Sequence, residues 1–280
     1  MNESDILPFE SKYTKADDYV QSPFRYPGGK FYALKHILPF LNVVPHDEFR
    51  EPFVGGGSVF FGKKKAPVNW INDIETQIIT TYQAIQDEDF CESLVAELTL
   101  EEASRERHKY YKEFEAKDAY QIAKKTYYLN RTSYSGIINK PAWGYAVGKS
   151  SPPPNWGKFL LNARKKLTEV KITNLDFSDL INAPTNNGKV LLYLDPPYYD
   201  ADTKRAYIHP FDEAEHKRLA SLLKETEHYF CLSYDDCEAI RELYDWAYIY
   251  ERSWFYNTAN TKDSRMVGDE LIITNYPVKT

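Results

Sequence analysis

The segment KVLLYLDPPY, residues 189–198, joins a strand-like apolar run to a polar turn. A continuous apolar run of this kind is typical of a strand buried on both faces of a parallel sheet. The run leads directly into Asp195-Pro196-Pro197-Tyr198. Because proline cannot donate a backbone hydrogen bond and stiffens the turn, the Asp195 carboxylate and the Pro196 carbonyl can be held there as two fixed acceptors. The segment predicts an α/β sheet with a polar site at the end of a buried strand.

Other predicted strands also end at turns that carry glycine or acidic residues. They are Phe49 to Val54, which leads into Gly55-Gly56-Gly57, residues 67–73, which end in Asp73, and residues 170–177, which end in Asp176-Phe177. Further strands are predicted at Tyr229 to Ser233, Ala247 to Arg252 and Leu271 to Asn275, and a helix is predicted to begin at the capping pair Asp212 and Glu215. Strands that alternate with helices imply a mostly parallel sheet, in which ligands bind beyond the carboxyl ends of the strands.

The composition indicates a folded protein without a membrane span or disulfide framework. The 280 residues are 42% hydrophobic and 27% charged, which excludes a largely disordered chain. No apolar stretch approaches the roughly 18 residues of a spanning helix, and the acidic N-terminus is unlike a secretion signal. Three cysteines without a CxxC pair, and six histidines without close ligand spacing, predict neither disulfides nor a metal site. We expect a soluble cytoplasmic protein with a loose segment at residues 1–22.

Basic residues concentrate in one window of an otherwise acidic chain. The formal charge is −6, but residues 119–168 hold nine Lys and Arg and no Asp or Glu, which leaves −15 elsewhere. The aromatic residues between these charges are Tyr127, Tyr128, Tyr134, Trp143, Tyr145, Trp156 and Phe159. Because cations neutralise phosphates and aromatic rings stack on bases, the window favours a nucleic-acid surface over a solvated basic face beside an aromatic core. Its position between two predicted strands indicates an inserted subdomain at about 88–168.

Two strand-end motifs carry residues suited to modifying a base. The glycine turn lets the backbone approach a ligand, and Asp73, 16 residues past Gly57, is placed to meet a ribose hydroxyl pair, so a nucleoside-containing cofactor is predicted. An exocyclic amine is a poor nucleophile because its lone pair is delocalised into the ring. A catalyst must accept hydrogen bonds from that amine, which Asp195 and the Pro196 carbonyl can do, while Tyr198 offers a stacking face for a flipped-out base.

The chain resembles the Dam-type, alpha-group class of DNA N6-adenine methyltransferases between about residues 23 and 276. The motifs that carry the resemblance are Tyr26-Pro27-Gly28-Gly29-Lys30, Glu51 to Ser58, Asn130-Arg131, Ser135-Gly136, Asp195 to Tyr198 and the late run Asp269-Glu270-Leu271. The resemblance implies a Rossmann-like S-adenosylmethionine-dependent methyltransferase fold over residues 23–280, with a mostly parallel sheet and an inserted target-recognition subdomain. It further implies site-specific transfer of a methyl group from S-adenosylmethionine to N6 of an adenine flipped out of duplex DNA.

The resemblance also implies roles for individual residues. The aromatic residue before PGGK packs on the cofactor adenine in that family, which implies this role for Tyr26. The acidic residue after the second strand binds the cofactor ribose in that family, which implies this role for Asp73. Asp176 and Phe177 resemble the pair that brackets the cofactor adenine. The implied cofactor-binding residues are Tyr26, Lys30, Phe53, Gly55, Gly57, Asp73, Asp176, Phe177 and Asp195. The implied catalytic residues are Asp195, Pro196, Pro197 and Tyr198.

One departure concerns the segment that reads DNA. Members that modify GATC carry a Phe-Asn-Val-Pro-Phe-Gly stretch after the Asn-Arg element, where residues 137–145 here read IINKPAWGY. The resemblance therefore does not extend to a recognition sequence. The candidates for DNA contact are Arg131, Tyr134, Asn139, Lys140 and Lys149. The single basic window favours a monomer on DNA, from a bacterium or a phage, with or without a separate cognate restriction endonuclease.

One other methyltransferase activity is excluded by the sequence, whereas two others and a binding role remain as alternatives. Methylation of cytosine C5 is excluded because that chemistry uses a cysteine preceded by proline, and no cysteine here follows proline. Methylation of cytosine N4 resembles the mechanism above but usually has serine in place of Asp195. RNA base-amine methyltransferases, including guanine N2 enzymes, can carry a similar tetrad. An alternative of another class is a nucleic-acid-binding module whose cofactor site is vestigial.

Overall fold

A seven-stranded sheet, parallel except for one strand, organises the part of the chain that the computed structural model describes, namely residues 7–8, 15–185, 188–199, 211–255 and 267–279. The strands are β1 (Leu7–Pro8), β2 (Glu48–Glu51), β3 (Val68–Asn72), β4 (Lys171–Thr173), β5 (Val190–Leu194), β6 (Tyr229–Asp235), β7 (Tyr248–Phe255), β8 (Val267–Thr274) and β9 (Val278–Lys279). The sheet order is β4-β3-β2-β5-β6-β8-β7, and β8 runs antiparallel to β6 and β7. Strands β1 and β9 form a separate parallel pair.

The α-helices cover this sheet and form a second layer beside it. They are α1 (Leu34–Asn42), α2 (Ser58–Gly62), α3 (Thr76–Gln86), α4 (Glu88–Thr99), α5 (Arg105–Glu113), α6 (Ala119–Thr132), α7 (Trp156–Leu167), α8 (Phe177–Asn182), α9 (Glu213–Glu225) and α10 (Glu238–Leu243). This mixed α/β arrangement with a mostly parallel sheet is consistent with a Rossmann-like methyltransferase fold, as the sequence predicts.

Strand β5 lies between β2 and β6 and is buried on both faces, which confirms the expectation from its apolar run. Leu191 and Tyr193 pack into the apolar cluster that includes α1 and α3, whereas Leu192 and Leu194 pack into the cluster that includes α9. Alternate residues of a strand point to opposite faces, so a strand in this position needs apolar residues throughout. The turn that follows is thereby fixed to the centre of the sheet.

Some predicted boundaries are wrong, and local capping explains the largest difference. The predicted strand at residues 170–177 ends at Thr173, because Asp176 caps α8 instead of extending the sheet. The Asp176 carboxylate accepts a hydrogen bond from the Ser178 amide at 2.9 Å. A short acidic side chain in this position satisfies a free amide of the first helical turn, which favours a helix start over a strand. The predicted cap Asp212 does accept from the Glu215 amide, at 3.1 Å, and begins α9.

Between β3 and β4 the chain forms helices α3 to α7 and their loops, and adds no strand to the sheet. Tyr127, Tyr128 and Trp156 are fully buried here, so this part of the predicted aromatic surface is instead a core. Lys166 is also buried and forms an ion pair with Asp18 at 2.7 Å. Counting charges and rings in a window does not reveal which side of a helix they occupy. The basic window therefore divides into an internal and an exposed part.

The described part of the N-terminal segment is attached to the rest of the protein. The Val20 amide donates to the Phe61 carbonyl at 3.1 Å, and Asp18 forms the ion pair with Lys166. Residues 1–6 and 9–14 of the segment predicted to be loose lie outside the described residues. None of the helices in the described ranges is both long and apolar enough to cross a membrane. The same ranges contain no group of three or more His, Cys, Asp or Glu side chains able to hold a metal ion.

Candidate active site

A cavity of about 460 Å³ opens where β2, β3 and β5 end. Strand order reverses between β2 and β5, and such a point leaves a crevice at the carboxyl edge of a parallel sheet. The predicted catalytic and cofactor-binding residues all line this cavity, namely Tyr26, Lys30, Phe53, Gly55, Gly57, Asp73, Asp176, Phe177, Asp195, Pro196, Pro197 and Tyr198. The fold thus brings together side chains from distant parts of the sequence at one site.

The glycine turn after β2 lies directly against the Tyr26 ring. A Cβ atom on Gly56 would lie 2.6 Å from the Tyr26 Cβ, and one on Gly55 would lie 3.0 Å from Tyr26 Cε1. Gly57 has a backbone φ of +69°, which residues other than glycine rarely adopt. The three glycines therefore let Tyr26 pack against bare backbone, so that the ring forms a wall of the cavity.

Asp73, predicted to meet a ribose, also braces the turns around it. Its Oδ2 accepts a hydrogen bond from the Gly55 amide at 2.7 Å, and its Oδ1 accepts one from the Glu75 amide at 2.9 Å. The side chain also lines the cavity. The same side chain thus connects the glycine turn to the segment that begins α3.

Asp195 follows β5 and is held by two donors that bind one of its oxygens. Lys30 Nζ lies 2.8 Å from Asp195 Oδ1, and Ser233 Oγ donates to the same oxygen at 2.9 Å. Within the described part of the chain, Oδ2 receives no hydrogen bond. Lys30, expected near the cofactor, therefore lies at the predicted catalytic carboxylate. Sequence reasoning missed Ser233, although its position at the end of a predicted strand is a usable signal.

Tyr198 is held by a buried acid on β8. Its hydroxyl donates to Glu270 Oε2, and Lys30 Nζ lies 4.7 Å from the centre of its ring. Burial, and then Asp195 and Glu270, keep the pKa of Tyr198 well above its usual value, so the phenol stays protonated and donates. In the sequence Glu270 stands out only as part of a motif, and its contact with Tyr198 depends on tertiary structure.

Glu51 ends β2 beneath the glycine turn and is 2% exposed. Its Oε2 is buried without a hydrogen-bond partner among the described residues. Burial raises the pKa of Glu51 well above its usual value, and Asp195 and Asp73 raise it further. An unpartnered buried carboxyl is costly unless a cation or donor meets it. The side chain lines the cavity, so a positively charged ligand there would relieve this cost.

Asp176 and three aromatic rings line one part of the cavity, and Asp176 forms an ion pair with Arg218, which is not a lining residue. Arg218 binds Asp176 through two contacts of 2.8 Å, and its hydrogen bonds hold the pKa of Asp176 well below its usual range. Phe177 stands 5.2 Å from Phe53 and 5.8 Å from Phe211, measured between ring centres. Predicted residues Asp176, Phe177 and Phe53 are therefore joined by two that the sequence reasoning missed, Arg218 and Phe211.

The capping pattern of α9 is a sequence signal for Phe211. It directly precedes the cap Asp212, and its ring contacts the His216 ring at 4.7 Å between centres. An apolar residue just before a cap that packs against the fourth helical residue is a known helix-start pattern. That pattern also places Phe211 at the mouth of the cavity, which it lines.

The predicted DNA contacts are divided between the cavity and the outer surface. Asn139 lines the cavity, whereas Tyr134 is 43% exposed and both Lys140 and Lys149 are exposed. Arg131 differs because it is 7% exposed, with its guanidinium 4.8 Å from the Phe159 ring centre. The structure thus places four of the five candidates where a large ligand can reach them, and Arg131 beneath the surface.

The loop at residues 133–144 is closed at its base and joined to the turn before Tyr26. The Tyr134 amide donates to Ala142, and the Gly144 amide donates to Thr132. The buried amide of Asn130 accepts from the Arg25 amide at 2.9 Å and donates to the carbonyls of Arg25 and Gly136. Asn130 therefore links the turn before Tyr26 to the loop that carries Tyr134, Asn139 and Lys140.

Comparison with known proteins identifies relatives of this chain. The family described as D12 class N6 adenine-specific DNA methyltransferase matches residues 26–258. The Type II methyltransferase M1.LlaDCHI of Lactococcus lactis subsp. cremoris is 26% identical over 279 residues, which cover 91% of this chain and 95% of that protein. The DNA N-6-adenine-methyltransferase of Escherichia phage P1 is 26% identical over 243 residues, covering 77% of this chain and 29% of that protein.

Proposed function

The chain belongs to the D12 class of N6 adenine-specific DNA methyltransferases, and we propose that it uses Asp195, Pro196, Pro197 and Tyr198 to methylate a flipped-out adenine. The observation that carries this proposal is that the two oxygens of the Asp195 carboxylate have different hydrogen-bond partners. Lys30 and Ser233 fix its Oδ1, and its Oδ2 receives no hydrogen bond from the described residues. A carboxylate held in this way has one oxygen oriented and available for the amino group of a base.

The amine of adenine needs acceptors as its nitrogen becomes tetrahedral. We assign Asp195 Oδ2 and the Pro196 carbonyl as these acceptors, because Pro196 is buried and its ring stiffens the turn. Asp195 also stands where it can take the proton that the amine loses. Lys30 holds the other oxygen of this carboxylate through the ion pair of 2.8 Å, which leaves Oδ2 oriented for this role. Tyr198, bonded to Glu270, presents a ring for stacking.

S-adenosylmethionine is the methyl donor that we propose, and the cavity residues fit it. The buried Oε2 of Glu51, which has no hydrogen-bond partner among the described residues, suits a cationic ligand, and the glycine turn leaves backbone open to a close approach. Tyr26, Phe53, Phe177 and Phe211 supply aromatic walls, with Asp73 placed for a ribose. When bound, this donor supplies a methyl group activated by a positive sulfonium. The residues of the chain then orient the acceptor amine and shield the site from water.

Duplex DNA is the substrate expected for such an enzyme, and exposed lysines in and shortly after the loop at residues 133–144 support this expectation. Lys140 and Lys149 are exposed and can meet phosphates. Tyr134 stands nearby with a partly exposed ring, and Asn139 reaches the cavity. We propose that these residues contact DNA around the flipped adenine. We do not extend this role to Arg131, which is buried.

The test is transfer of labelled methyl from S-adenosylmethionine to unmethylated genomic DNA, followed by nucleoside analysis and mapping of the modified bases. N6-methyladenine within one short motif is the expected product. Asp195→Asn should lower turnover by at least about a hundredfold while cofactor binding is retained, because one hydrogen-bond acceptor becomes a donor. Asp236→Asn is the control, since Asp236 is paired with Arg241 outside the cavity. Turnover of Asp195→Asn at the wild-type rate contradicts the proposal. Methyl label found in cytosine, or in RNA offered as the substrate, favours the cytosine N4 or the RNA alternative instead.

A further inference from the structure

Glu270 places a buried acid beside the catalytic turn at a position where a sheet normally holds apolar residues. It is 2% exposed, and the next three residues of β8, Leu271, Ile272 and Ile273, are fully buried. Its Oε1 is buried without a hydrogen-bond partner among the described residues. A partly satisfied buried carboxyl destabilises a fold, so packing does not explain this residue.

The contacts of Glu270 lead to the residues that we assign to catalysis. Its Oε2 accepts the hydroxyl proton of Tyr198, and it lines the same cavity as Asp195. Lys30 connects the two acids, because its ammonium binds Asp195 at 2.8 Å and lies 4.7 Å from the centre of the Tyr198 ring. One cation therefore serves both the acceptor for the amine and the ring proposed to stack on the base.

The groups around Glu270 have opposing effects on its pKa. Burial raises the pKa of Glu270, Lys30 and the Tyr198 hydroxyl lower it, and Asp195 and Asp235 raise it, with a net pKa of about 7. Asp235 is its partner on β6, and Arg252 is its partner on β7, with the guanidinium over the Phe40 ring. Near neutral pH the bond from Tyr198 thus changes between a charge-assisted and a neutral hydrogen bond.

We propose that Glu270 is a positioning residue for methylation, which acts by holding the Tyr198 ring against the target base through the phenol hydroxyl. This inference rests on the proposed function of Tyr198. The ionised acid holds the ring most firmly, and the protonated acid holds it less firmly. Loss of the contact leaves the ring attached to the chain but free to turn about its side-chain bonds, so binding of the donor is unaffected and placement of the base is impaired.

The test combines Glu270→Gln, Tyr198→Phe and the double variant in a mutant cycle. Each single variant should lower kcat/KM for DNA by about tenfold, the difference between a charge-assisted and a neutral or absent hydrogen bond. Because both residues act through one contact, the double variant should lose no more than either single variant. Additive losses, or Glu270→Gln with wild-type kinetics, overturn the proposal.

Two further readouts separate positioning from general stability. The wild type should lose kcat/KM as pH falls through about 7, and both single variants should lack this step. A fluorescent 2-aminopurine at the target position should report less complete flipping in Glu270→Gln, with the dissociation constant for S-adenosylmethionine unchanged. Glu251→Gln on β7, whose side chain is exposed and paired with Arg241, is the matched control. A step that persists in Tyr198→Phe contradicts the proposal even if Glu270→Gln fails to fold.

The outcomes also separate this inference from the proposed function. If the wild type transfers no methyl to DNA, the proposed function fails before Glu270 is tested. If the wild type methylates adenine but Tyr198 and Glu270 act independently, the proposed function stands and the positioning role of Glu270 is refuted.

Discussion

Replacement of Gly56 by alanine tests whether the Tyr26 ring is a wall of the donor site. The new Cβ would lie 2.6 Å from Tyr26 Cβ and 3.2 Å from Tyr26 Cγ. Carbon atoms in contact prefer about 3.5–4.0 Å, so Tyr26 must move by about 1 Å. Crowding of this kind costs about 1–3 kcal/mol, and each 1.4 kcal/mol is a factor of about ten in affinity. We expect Gly56→Ala to weaken S-adenosylmethionine binding by about tenfold or more.

Calorimetric titration of the donor, beside thermal unfolding, checks this expectation. Gly62→Ala is the matched control, since its Cβ would lie 2.9 Å from Leu34 Cδ1, and Leu34 does not line the cavity. That variant should lower Tm by crowding the core while it binds the donor normally. Wild-type donor affinity in Gly56→Ala, at any Tm, would refute the placement of Tyr26 against the donor.

Three other predictions concern a hydrogen bond to Asp195, a buried lysine and two exposed lysines. Ser233→Ala removes one donor to Asp195 and should lower kcat by about tenfold without changing donor affinity, as measured by labelled methyl transfer and titration. Burial lowers the pKa of Lys63 to about 7 from its usual 10.5, so Lys63→Met should raise Tm at about pH 6 and lose this advantage as the pH approaches 10.5, where the unfolded chain also loses the proton. Lys140→Ala and Lys149→Ala should each weaken DNA binding and reduce its dependence on log salt by about one ion, as measured by anisotropy titrations; unchanged slopes would remove them from the interface.

The sequence predicts the centre of the fold well because local chemistry and tertiary position agree there. A strand buried on both faces has to be apolar throughout, and β5 is. The turn that follows carries two prolines, whose restraint does not depend on distant contacts. For these reasons the amino-acid sequence alone predicts where the cavity lies and which of its motifs line it.

The contacts missed by sequence reasoning depend on strands that meet only in the folded chain. Ser233 and Glu270 reach the turn at residues 195–198 because β6 and β8 lie on the same side of β5 in the sheet. The strand-end position of Ser233 and the motif that contains Glu270 mark these residues locally, but neither signal identifies the residue that the side chain contacts. The Asp176 cap is mispredicted for a related reason, since an acid after apolar residues fits the end of a strand and the start of a helix equally well.

Burial on the inserted helices is the least predictable feature. Tyr127 and Lys166 belong to the same basic, aromatic window as Lys149, yet the first two are internal and the last is exposed. Composition gives the number of charged and aromatic residues in a segment. Whether each side chain faces the interior or the solvent depends on which helices pack together. Here α6, which carries Tyr127, packs against α3, and Lys166 on α7 is paired with Asp18 of the N-terminal segment.

The closed base of the loop at residues 133–144 has a consequence for engineering the DNA contacts that we propose. A Cβ on Gly136 would lie 2.2 Å from the Arg25 carbonyl oxygen, and one on Gly144 would lie 2.3 Å from the Tyr134 backbone. Both glycines, with Asn130, therefore mark the ends of an exchangeable cassette. Residues 137–139 line the cavity, so libraries confined to residues 140–143 keep the cavity lining unchanged while they vary the part of the anchored loop that we propose to contact DNA.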